Sequence, residues 1–142
     1  MESRESVIDI VRQSYGRCAL AEGFFDDFYD TFMNSSPQIS PYFASTNMTK
    51  QKQLLREGIS FMILFAEQHR SGVMAIDHIG ALHDKDHVNV SPDLYRLWTS
   101  SLVKTIAKHD RRFDADTERA WDDVLSRGIR RFVELYQTTN KQ

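Results

Sequence analysis

At 142 residues, 41% hydrophobic and 27% charged, the chain has the length and balance of one globular domain, which excludes a disordered segment. A formal net charge of -2 and a pI near 6.2 argue against the basic patch that a nucleic-acid binder carries. The longest apolar run, from Ile59 to Ala66, is far too short to span a bilayer.

The charged start Met1-Glu2-Ser3-Arg4-Glu5 lacks the apolar stretch of a signal peptide. Helical spacing of apolar residues begins at once and recurs almost throughout. Val7, Ile8, Val11, Tyr15 and Cys18 mark a first helix. Cys18 is the single cysteine; it cannot form an internal disulfide, so a reducing cytoplasm is the expected location. Leu20, Phe24, Phe25, Phe28 and Phe32 mark a second helix. Ser36-Pro37 places a cap residue before a proline and predicts a short turn of helix near 37–42. Leu54, Leu55, Ile59, Met62 and Ile63 mark a third helix, and Ser71-Gly72 reads as a helix stop. A shorter helix carries Val73, Ile76, Ile79 and Leu82-His83 on one side. Ser91-Pro92-Asp93 reads as a start, with an acid near the positive helix end, for the helix of Leu94, Trp98, Leu102 and Ile106. Asp114 to Thr117 offers caps for the last helix, with Trp121, Val124, Leu125, Ile129, Phe132 and Tyr136 on its apolar face. No stretch alternates as a strand does, so the predicted fold class is all-α, with six main helices and one short helix in a single domain over 1–142.

No glycine-rich phosphate loop, CxxC, HExxH or Glu-x-x-His pair occurs in the sequence. Five histidines remain as candidate ligands. His69 and His109 sit among charged neighbours and read as surface, and His78 adjoins Asp77 on the short helix. His83 shares the face of Ile76 and Ile79, seven and four residues on (83 − 76, 83 − 79). A lone histidine on an apolar face is more often structural than a ligand, so periodicity alone leaves its role open.

Three motifs, taken in order, resemble the globin family, and bacterial single-domain haemoglobins and the haem domain of flavohaemoglobins in particular. The first runs from Phe28-Tyr29 to Pro41-Tyr42-Phe43, with Tyr29 and Phe43 14 positions apart (43 − 29). The second is Leu82-His83 followed by Val88-Asn89-Val90-Ser91-Pro92-Asp93-Leu94-Tyr95, and the third is Ala120-Trp121. The resemblance covers nearly the whole chain and implies a globin fold holding haem b (iron protoporphyrin IX) in a central pocket. It makes His83 the iron ligand, with His87 as its rival or as a partner of a haem propionate at the rim. Phe43 is expected to wedge on the porphyrin, with Leu55, Ile59, Ile79, Leu82, Val90, Tyr95 and Trp98 along the haem.

Two departures stand out. The turn after His83 is about two residues longer than in flavohaemoglobins, judged by the distance to Tyr95. The glutamate that flavohaemoglobins place near the proximal histidine falls on Tyr136, with Glu134 close by. The resemblance therefore does not carry over a strongly electron-donating proximal network.

A bound diatomic ligand that carries partial negative charge on its outer atom is stabilised by a donor in an apolar pocket. The resemblance puts Tyr29 in that role, joined by a glutamine. Counting from Phe43 gives Gln53, which would turn Glu57 toward the haem at a burial cost. Counting back from His83 gives Gln51, with Leu55 and Ile59 on the haem side, and the helical stripe favours Gln51.

The expected ligands are dioxygen, carbon monoxide and nitric oxide, in a monomer or a homodimer with no nucleic-acid or membrane partner. Reversible dioxygen binding leads. The alternatives are nitric oxide dioxygenation, which needs a separate reductase because the chain ends at Gln142, and a sensor or interaction module.

Overall fold

Six α-helices form from these periodic segments in the computed structural model, which describes residues 4–83 and 90–140. They are α1 (Arg4–Ala19), α2 (Phe24–Met33), α3 (Met48–Ala66), α4 (Arg70–Leu82), α5 (Pro92–His109) and α6 (Ala115–Asn140), with a 3-10 turn at Ser40–Phe43 between α2 and α3. Among the described residues there is no strand, and no helix is long and apolar enough to cross a membrane.

Local chemistry sets the boundaries. Gly23, at φ 84°, turns the chain into α2 in a conformation that strains any residue with a Cβ. The Asn47 side chain accepts the Lys50 N–H at 3.2 Å and caps α3. Asp114 Oδ1 accepts the Thr117 N–H at 2.8 Å and its hydroxyl at 2.7 Å, capping α6. Pro92 opens α5 after Ser91, where its missing N–H costs no helical bond.

Several sequence expectations need correction. Ser71-Gly72 is no stop: both residues lie inside the first turn of α4. The break comes earlier, at Gln68, which adopts a left-handed φ of 65°. Gly72 serves a different purpose. A Cβ there would sit 2.5 Å from the backbone of Leu64 and Phe65, so its absence lets α4 cross α3 closely. Ser36-Pro37 starts a turn, and the 3-10 segment begins at Ser40 with Pro41 in its first turn. Leu20 lies outside α2 and is exposed, as are Leu54, Val73 and Leu82. Leu82, expected in the core, is 45% exposed at the last turn of α4.

The buried side chains form one cluster, with Val11, Phe28, Ile59, Ile76, Leu102, Ile106, Trp121 and Leu125 at its centre. Burying each such side chain contributes about 1.5–3 kcal/mol. Helix α3 packs on α4, both pack on α6, α2 lies on α5, and α1 crosses α6. One polar network is sealed into this core. Trp121 Nε1 donates to Ser14 Oγ at 2.9 Å, and Ser14 Oγ donates to Asp110 Oδ2 at 2.6 Å. Arg17 Nε reaches Asp110 Oδ1 at 2.5 Å, and the Arg112 N–H donates to the same oxygen at 2.9 Å. Burial would raise the Asp110 carboxyl, but these donors outweigh it and hold the group below the usual carboxylate range. The network ties α1, the end of α5 and α6 together.

Candidate functional site

Helix α2 is amphipathic, and its buried face presents Phe28, Tyr29 and Phe32 inward. Opposite lies the first turn of α3, which carries Gln51. Gln51 Nε2 donates to Tyr29 Oη at 3.2 Å, and the Tyr29 hydroxyl donates to the Gln51 carbonyl at 3.4 Å. Burial pushes the Tyr29 phenol up to about 12, only partly offset by Gln51, so at neutral pH it keeps its proton and acts as a donor. Gln53, the other glutamine weighed for this role, is exposed.

Phe43, half-buried at the end of the 3-10 turn, closes this cluster. Its ring meets Tyr29 edge-on at 5.5 Å and Phe32 at 6.2 Å. Trp98 of α5 meets Phe28 at 6.1 Å. Leu55 and Ile59, one and two turns beyond Gln51, are both buried along α3.

A second cluster forms where α4 ends. His83 caps that helix, its N–H shared between the Ile79 and Gly80 carbonyls at 3.1 Å each. Its carbonyl accepts the Val90 N–H at 3.0 Å, which anchors the chain before α5. The imidazole meets Phe132 of α6, which in turn stacks on Tyr95 of α5; Ile79 and Val90, near in the chain, are half-buried. Burial lowers the His83 pKa, so the ring is neutral at pH 7 with a lone pair to offer. Its Nδ1 is buried with no hydrogen-bond partner among the described residues. Buried polar nitrogens are nearly always satisfied, so this orphan marks a ring whose polar contacts are not made by the described polypeptide. A neutral, buried imidazole packed against Phe132 fits a haem iron's requirement for an axial ligand.

His87, expected either at the haem rim or as a rival ligand, lies outside the described residues. His69 is exposed at the start of α4, as the sequence suggested. His109 is not the surface residue it resembled. Its Nε2 lies 2.7 Å from Asp27 Oδ2 and its side chain is only 14% exposed, joining the end of α5 to α2. Hydrogen bonding to His109, then to Lys108, lowers the Asp27 pKa. A separate groove of about 490 Å³ runs between the end of α3, α4 and α6. Its Arg127 is already engaged by Asp123 and by the Ala66 carbonyl.

The globin family model matches residues 26–129, most of the chain, and the chain belongs to the globin family. It is a haem-binding protein with the globin fold. A solved structure similar to it is that of a Pseudomonas aeruginosa PAO1 protein described as structurally highly homologous to a human haemoglobin. That protein shares 45% identity, over 92% of this chain and 98% of its own, with a TM-score of 0.88. No curated protein matches the chain.

Proposed function

We propose that this globin binds b-type haem through His83 and takes up dioxygen reversibly against Tyr29 and Gln51. Haem supplies a metal centre with one coordination position left for a diatomic gas. Cys18, the single cysteine, is buried in α1, so no thiol pair is available for thioether attachment and the cofactor is held non-covalently. Phe43, Leu55, Ile59, Ile79, Leu82, Val90, Tyr95 and Trp98 provide the apolar contacts to its faces.

The observation that carries the functional reading is the Tyr29–Gln51 pair. Two donors from two helices already face each other in an apolar surround, where hydrogen bonds to a polarised ligand are strongest. The Tyr29 proton is held only by a long 3.4 Å bond to a carbonyl. It can turn to a ligand while Gln51 keeps the phenol oxygen in place. Carbon monoxide and nitric oxide fit the same space. The buried, unpaired Cys18 is consistent with a cytoplasmic location.

The same pair supports a second reading, nitric oxide dioxygenation. Bound haem would supply the one-electron chemistry by which one nitric oxide and one dioxygen become nitrate, and a reductase would have to return one electron per turnover. Mixing the dioxygen-loaded protein with excess nitric oxide separates the two readings. A single stoichiometric reaction that no cellular reductase can sustain supports the binding role. Continuous nitrate formation with such a reductase supports the enzyme. The proposal as a whole is tested by haemin titration. Saturation at one haem per chain, followed by a clean carbon monoxide shift after reduction, is expected, whereas no saturable uptake would defeat it.

A further inference from the structure

Three aromatic rings, from the C-cap of α4, from α5 and from α6, meet in one column. His83 meets Phe132 edge-to-face at 5.9 Å with an interplanar angle of 70°. Phe132 in turn stacks on Tyr95 at 5.6 Å and 28°. Phe132 and Tyr95 are both buried, so each restrains the next. Gly80, one turn before His83, makes the approach of α6 feasible. A Cβ there would lie 2.5 Å from Leu135 Cδ1 and 3.1 Å from Phe132 Cδ1. The missing side chain is what lets the Phe132 ring reach the imidazole.

Two carboxylates near the end of α4, Asp77 and Glu134, are engaged by Arg131 of α6. Arg131 Nε binds Asp77 Oδ1 at 2.7 Å, and Arg131 Nη1 binds Glu134 Oε2 at 3.2 Å. The Glu134 side chain is 62% exposed. Metal-bound histidines are usually oriented by a hydrogen bond to their second nitrogen, which also raises their basicity. The His83 Nδ1 has none among the described residues.

We infer that Phe132 is a positioning residue that fixes the plane of the His83 imidazole by ring packing. This rests on His83 being the iron ligand.

Resonance Raman spectra of the ferrous haem protein test it, read at the iron–imidazole stretch in the natural chain, Phe132→Leu and Phe132→Tyr. The natural chain should give one narrow band, as expected of an imidazole held in one orientation. Phe132→Tyr keeps the ring and should keep the band. Phe132→Leu should broaden or split it and speed haemin loss about tenfold, as expected from losing an aromatic pair on the ligand. If Phe132→Leu does not fold, Phe132→Met keeps the volume and carries the same test. A band unchanged in the ring-less variant overturns the role of Phe132 alone. No iron–imidazole band in the natural chain overturns the His83 assignment and this inference with it.

Discussion

The Gln51 amide nitrogen lies 3.2 Å from the Tyr29 phenol oxygen, a side-chain bond between α2 and α3 across 22 residues of sequence. Each partner would donate to a bound gas, so removing either leaves the other less well aimed. Tyr29→Phe and Gln51→Leu should each raise the dioxygen dissociation rate roughly ten- to hundredfold, the worth of one hydrogen bond to a partly charged acceptor. The double variant should fall short of the product of the two, since the groups hold each other. Flash photolysis and stopped-flow displacement by carbon monoxide measure these rates. Unchanged rates in both single variants would remove the pair from the ligand's surroundings.

Acid sensitivity should centre on Asp110. The residue is 3% exposed, and its carboxyl is held ionised by Arg17, Ser14 and the Arg112 N–H. Its folded pKa is depressed, so its contribution to stability is present above the unfolded value of about 3.9. That contribution is lost as the pH falls through the lower folded value. Asp110→Ala should cost about 3 kcal/mol at neutral pH, because Arg17 and Ser14 lose their shared acceptor. The deficit should shrink toward acid. Urea unfolding at pH 7 and below pH 4 measures both; a deficit independent of pH would contradict the linkage.

Two glycines should respond oppositely to the same change. Gly58 lies inside α3, and a methyl group added there would meet nothing within 4 Å, so Gly58→Ala should stabilise by about 0.5–1 kcal/mol through helix propensity. At Gly72 the methyl would meet backbone of α3 at 2.5 Å. Gly72→Ala should therefore force the α3–α4 crossing apart, at about 1–3 kcal/mol. Thermal unfolding of the two variants, side by side, reads the difference.

The helices were legible because the chain keeps a 3.6-residue period in Val7 to Cys18, Phe24 to Phe32 and Trp121 to Tyr136, with Asp114 and Pro92 marking true starts. What misled were residues whose role is set by a neighbour in space. Gly72 looked like a stop because glycine commonly ends helices, yet here it permits a close crossing. His109 looked solvated among Lys108, Asp110, Arg111 and Arg112, but its partner Asp27 is 82 residues away in sequence. The candidate site was legible as a set of spacings around Tyr29, Phe43 and His83. The ring column was not, because nothing in the spacing of Gly80, Tyr95 and Phe132 reveals that three helices meet there.

The most direct test of haem attachment through His83 is the absorption spectrum of His83→Gly, reconstituted with haemin and reduced, with and without added imidazole. Weak, heterogeneous haem binding that returns to the natural ferrous and carbon monoxide spectra when imidazole fills the cavity is the expected outcome. Full haem occupancy with an unaltered spectrum in the absence of imidazole would show that another residue holds the iron.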